Sequence, residues 1–130
     1  MIERKATNIR DMTALEIGEK IKQREIGCAE AAKSFLDAIK AEGQAVNAYI
    51  TIMEDEALQR AEEVQHRIDS GEALSPLAGV PVAVKDNICT KGTRTTAASR
   101  MLGNFVPPYD ATVIERLQQA GAVVIGKTNL

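Results

Sequence analysis

Two short apolar runs constrain what this chain can fold into. Val80-Pro81-Val82-Ala83-Val84 and Ala122-Val123-Val124-Ile125 are continuous and rich in β-branched residues, the pattern of strands covered on both faces. Pro81 cannot donate to a ladder and belongs at the start of its strand. Between the runs, Asp110 is placed to cap a helix carrying Val113, Ile114, Leu117 and Ala120, with Gly121 to close it. Strand, irregular loop, helix, strand implies a right-handed parallel crossover, and so an α/β fold.

The preceding residues read as helices. Thr13 followed by Glu16 is a capping box, and Leu15, Ile17 and Ile21 predict a short amphipathic helix that stops near Gly27. Ala32, Phe35, Leu36 and Ile39 form one stripe of a second helix from Ala29, with Gly43 as its C-terminal stop. Val46, Ala48, Ile50 and Ile52 alternate as a half-buried strand, and Ala57, Ala61, Val64 and Ile68 predict a third helix ending before Gly71. The polar stretch Gly71-Glu72-Ala73-Leu74-Ser75-Pro76 divides a helical region, 1–70, from a glycine-rich, β-branched one, 71–130.

Charge and composition exclude several functions. The 16 basic and 18 acidic residues give a net charge of −2, and aromatics make up 3%, which disfavours direct gripping or stacking of nucleic acid. Cys28, Cys89 and the single histidine, His66, cannot supply the four ligands of a structural zinc site. The expected metal content is none. The charged start Met1-Ile2-Glu3-Arg4-Lys5 resembles no export signal, no apolar run approaches the ~20 residues of a membrane span, and free thiols suit a reducing compartment. A cytoplasmic location is the expectation.

Three motifs invite chemistry. Gly121-Ala-Val-Val-Ile-Gly126-Lys127-Thr128 has the letters of a phosphate-binding loop. That loop must follow a strand and precede a helix, whereas here a helix comes first and Ala-Val-Val-Ile favours extended chain, so a core strand ending in a polar turn is expected. Lys85 stands at the far end of the first apolar run, on the same face as Pro81 and Ala83, with Asp86 pointing the other way. Apolar surroundings there would lower its pKa and make a neutral amine available as a general base; the alternative is a lysine that snorkels to solvent or pairs with Asp86. Cys89 lacks a nearby histidine base in sequence, and His66 lies on the polar side of the third helix.

Leu77-Ala-Gly-Val-Pro-Val-Ala-Val-Lys85-Asp86-Asn87-Ile88-Cys89-Thr90-Lys91-Gly92, then Thr95-Thr96-Ala97-Ala98-Ser99, Phe105-Val-Pro-Pro-Tyr-Asp-Ala-Thr-Val113 and Gly121–Asn129, resemble the opening of the amidase-signature family. The resemblance implies N-terminal helices packed on part of a larger mixed sheet. It also implies that Lys85 is the terminal base of a serine, cis-serine, lysine triad. The likeness is nearest to members that hydrolyse glutamine and supply ammonia for transamidation of glutamyl-tRNA(Gln). For those members it implies partner subunits B and C, tRNA contacted mainly through the partner, and ATP and Mg at a partner subunit, with no cofactor in this chain.

The family's two serines lie in a glycine- and serine-rich segment downstream of Asn129, and Ser34, Ser70, Ser75 and Ser99 occupy no such segment. The expectation is therefore an N-terminal fragment or truncated product, inactive alone. The alternatives are a non-catalytic assembly module whose helices contact partner subunits, or another amide hydrolase of the same family.

Overall fold

A computed structural model describes residues 8–130; the charged start Met1–Lys5 lies outside the described residues. After a 3₁₀ turn at Ile9–Asp11 come α1 (Ala14–Lys22), α2 (Cys28–Val46), β1 (Tyr49–Ile52), α3 (Glu54–Asp69), β2 (Pro81–Lys85), α4 (Thr112–Gln119) and β3 (Val123–Thr128). The three strands form one mixed sheet in the order β1-β3-β2, with β1 antiparallel and β2 parallel to β3. The α/β class and the parallel pairing of the two apolar runs follow the sequence reading.

The capping box at Thr13 and Glu16 is present, but α1 ends at Lys22, five residues before Gly27, because Arg24 turns left-handed at φ 62°. Gly43 does not stop α2, which continues to Val46. Asn47 ends it instead, in the left-handed conformation that its short polar side chain tolerates, donating its N–H to the Gly43 carbonyl at 2.8 Å. The strand expected from Val46 therefore begins only at Tyr49. α3 is as expected, burying Ala57, Ala61, Val64 and Ile68 and leaving His66 exposed.

Asp110 does not cap α4. The N-cap is Ala111, and Asp110 Oδ1 instead accepts the Lys91 N–H at 2.6 Å, tying the loop after β2 to the start of the helix. β3 also runs three residues past the expected strand, so Gly126-Lys127-Thr128 is extended chain and not a turn. The phosphate-loop reading fails on this point: a strand paired on both edges has no N–H cluster free to curl round an anion. Gly126 is required for a different reason, since a Cβ there would lie 2.7 Å from the Thr51 carbonyl oxygen and 2.8 Å from the Tyr49 ring.

One hydrophobic core joins both sides of the polar stretch, with Ile17, Ile21, Leu36, Ala61 and Val64 from the helices meeting Val80, Val123 and Ile125. α2 packs on α3, and α3 on β3. β2 departs from the expectation of burial on both faces. Among the described residues it is an edge strand, with Val84 buried but Ala83 and Lys85 exposed. The β2–β3 register slips by one residue between Val82 and Ala83: Val82 pairs with Val124, but Ala83 with Gly126.

α1 sits so close to the polar stretch that a Cβ on Gly18 would lie 2.0 Å from the Pro76 carbonyl oxygen, a backbone atom with little freedom to retreat. Gly18→Ala is therefore expected to cost about 1–3 kcal/mol despite alanine's better helix propensity. Urea unfolding of the two proteins, followed by far-UV circular dichroism, measures the difference, and an unchanged midpoint would refute the contact.

Candidate active site

β2 delivers Lys85 to its C-terminal end, the end at which parallel strands commonly present functional groups. Side chains alternate there as the sequence requires: Val84 buried, Lys85 exposed, Asp86 fully buried. Lys85 does not lie in apolar surroundings within the described residues, and Asp86 is not its partner. Its backbone, however, is fixed. The Lys85 carbonyl accepts the Ile88 N–H at 3.0 Å, and the following Asp86 N–H donates to the Thr128 carbonyl at 2.9 Å.

Beneath this end of the sheet is a polar cluster. Lys127 is completely buried, and its Nζ donates to the Ile88 carbonyl at 2.7 Å and to the hydroxyls of Thr90 and Thr95, each at 3.0 Å. Both hydroxyls direct their own protons elsewhere, Thr90 to the Ile88 carbonyl and Thr95 to the Thr93 carbonyl. Three acceptors therefore face Nζ, which needs all three protons of an ammonium to satisfy them. Burial pulls the Lys127 pKa below the ordinary lysine value, while the nearby Asp86 and Cys89 act in the opposite direction.

Asp86 supplies the countercharge, with Oδ1 3.9 Å from Lys127 Nζ. Its Oδ2 accepts the Thr96 N–H at 3.0 Å and, at short range, the Thr96 hydroxyl; its own carbonyl accepts the Ala97 N–H at 2.9 Å. Directly beyond this anchor, Ala97 and Ala98 both adopt left-handed backbone at φ 49° and 56°. Two consecutive non-glycine residues in that region are strained and persist only where their surroundings hold them. Sequence reading missed this cluster. The available signal was a lysine within a β-branched run, together with threonines at 90, 95 and 96.

Three of the serines serve local structure. Ser75 Oγ donates to the Ala120 carbonyl at 2.6 Å, Ser70 Oγ donates to the Arg67 carbonyl at 2.8 Å, and Ser99 Oγ accepts the Met101 N–H at 3.2 Å. Cys89 Sγ lies 3.6 Å from the Tyr109 hydroxyl. A cleft of ≈ 330 Å³ opens beside Met53, Arg60, Thr90, Lys91 and Val124, but Lys85 does not line it. No group of three or more His, Cys, Asp or Glu residues suited to a metal ion occurs among the described residues, and no described helix is long and apolar enough to cross a membrane.

Residues 30–130, which include this strand end and the polar cluster beneath it, match the Amidase family. The chain belongs to the amidase-signature family. Among its relatives, the A subunit of the Lachnoclostridium phytofermentans glutamyl-tRNA(Gln) amidotransferase is 53% identical over 123 residues, covering 94% of this chain and 25% of that protein. The corresponding Carboxydothermus hydrogenoformans protein is 52% identical, covering 92% of this chain and 24% of its own length. The chain thus spans about a quarter of the length of the curated relatives it matches.

Solved amidase structures share the fold. The native peptide amidase of Stenotrophomonas maltophilia superposes with a TM-score of 0.87 at 32% identity, over 92% of this chain and 25% of that one. A fatty acid amide hydrolase gives 0.85 at 26% identity, over 92% of this chain and 21% of its own. The mixed α/β arrangement of helices on a partial sheet is therefore the family's fold.

The two cysteines differ sharply in environment. Cys28, fully buried at the start of α2, has its thiol pKa pushed up to about 11, chiefly by burial and then by Asp69. At pH 8 a disulfide reagent should therefore label Cys28 only on unfolding. Because the unfolded thiol ionises near pH 8.5–9 while the folded one holds its proton, stability should fall as pH rises from about 9 to 11. Cys28→Ala should remove that part of the alkaline loss in denaturant titrations, and an identical pH slope in both proteins would contradict the assignment.

Proposed function

We propose that this chain is the N-terminal part of a glutamine-hydrolysing amidotransferase A subunit that supplies ammonia for transamidation of glutamyl-tRNA(Gln), and that Lys85 is the terminal base of its serine, cis-serine, lysine triad. One observation supports the reading above the rest: in a chain 53% identical to such a protein over 94% of its length, Lys85 stands on the open face of a strand end, free of any carboxylate partner among the described residues. A lysine paired with Asp86 would be locked as an ammonium. Here that carboxylate is turned to the opposite side and opposes Lys127 instead.

In the complete protein, the remaining chain covers the face bearing Ala83 and Lys85. Desolvation there disfavours the ammonium and makes the neutral amine accessible at working pH. Lys85 then takes the proton of the bridging serine as that serine takes the proton of the nucleophile. The nucleophile's oxygen bonds to the glutamine side-chain carbonyl, the C–N bond breaks, and ammonia leaves with a proton returned through the same relay. Water cleaves the resulting ester to release glutamate. Partner subunits B and C, with ATP and Mg at a partner, activate and receive the tRNA-bound substrate.

Lys85→Ala in the complete protein should lower glutaminase turnover by several orders of magnitude, because the members of such a relay act as a unit. Lys85→Arg should fail equally, since a guanidinium keeps its charge but cannot accept a proton. The 130-residue chain alone should release no ammonia from glutamine above background. A complete Lys85→Arg enzyme with near wild-type glutaminase at pH 7 would overturn the base assignment.

A further inference from the structure

The reaction assigned to Lys85 has no use for a second lysine, yet Lys127 is the largest fully buried side chain among the described residues. A buried ion pair seldom outperforms apolar packing in stability, so its retention points to what it fixes in space. Lys127 stands on the central strand and reaches three points on the loop that leaves β2: Ile88, Thr90 and Thr95. Asp86, at the root of that loop, holds Thr96 and Ala97. The loop is thus pinned from both arms by one cation and one anion. The pinning reaches Lys85 in a single step, since Ile88 gives its N–H to the Lys85 carbonyl while its own carbonyl accepts from Lys127 Nζ.

We propose that Lys127 is a positioning residue: its buried ammonium, balanced by Asp86, clamps the 86–99 loop to the end of β2 and so fixes the direction in which Lys85 is presented. This rests on the reading of Lys85 as the base. All three ammonium protons are committed, so Lys127 has none to exchange with substrate and acts only through the loop it holds. The strained Ala97–Ala98 pair, immediately beyond the Thr96 anchor, is held in place by the same clamp.

The test uses the complete protein in its amidotransferase complex, comparing Thr95→Val with Thr95→Ser and Thr90→Val with Thr90→Ser. Each valine deletes one acceptor of Lys127 without removing a charge, and each serine restores it. Glutaminase kcat should fall about tenfold or more in the valine variants with KM changed less than about threefold, and the serine variants should stay close to wild type, as expected for a misplaced group in the reaction. Val64→Ala, which opens the core beneath α3, should lower Tm while leaving kcat at 25 °C intact. Valine variants that lose Tm but keep kcat, that change KM alone, or that yield no folded protein would each overturn the positioning role. Lys85→Ala measured in parallel separates the two readings: if it stays active the base assignment fails, whereas an inactive Lys85→Ala beside fully active valine variants rejects the clamp alone.

Discussion

β3 is hydrogen-bonded along both edges, antiparallel to β1 and parallel to β2, and α2 and α3 also pack against it. Through β1 it draws in the C-terminal end of α2, because Asn47 turns the chain directly into Tyr49. Through Val123 and Ile125 it supplies the surface on which α3 buries its small-residue stripe. Through β2 it sets where Lys85 emerges. A central strand paired on both edges leaves little room for a side chain where it meets β1, and glycine at 126 is the consequence.

Charge is sorted sharply across this strand end. Basic side chains and carboxylates elsewhere pair at the surface, as Arg67 does with Glu72 at 2.9 Å and Lys40 with Glu54 at 2.6 Å, where such contacts contribute little. The Lys127–Asp86 pair is removed from water; threonine hydroxyls and backbone satisfy Lys127 Nζ and Asp86 Oδ2, while Asp86 Oδ1 has only the ammonium at 3.9 Å, so breaking one side of the pair leaves an uncompensated charge in the interior. The same neighbourhood holds both the anchored loop and Lys85, which has no carboxylate partner among the described residues.

Much of this is legible in the sequence. α3 is readable because its buried positions recur at helical spacing without interruption, and the two apolar runs announce a parallel pair because nothing polar breaks them. Element ends are less legible, since they depend on conformations that several residues can adopt: Arg24 and Asn47 turn left-handed, although glycines stand nearby at 27 and 43. Asp110 has the right residue type and place for a cap, but its oxygen serves a distant loop N–H in place of the helix beside it. Lys85 is found by its place at a strand end and by family resemblance. Lys127 is not, because a lysine after a β-branched run reads as the point where a strand meets solvent, and only tertiary contacts from residues 88–95 turn it inward.

The slipped register between β2 and β3 has a further consequence. Had the pairing of Val82 with Val124 continued unbroken, Lys85 would stand beside Lys127 on the same face, two ammonium groups on adjacent strands about 5 Å apart. The extra residue on β3 sets Val84 opposite Lys127 and Lys85 opposite Thr128, on contrary faces of the sheet. A single bulge thus converts a repulsive doublet into two separated cations, Lys127 sealed in the interior and Lys85 turned to the open face of the strand end.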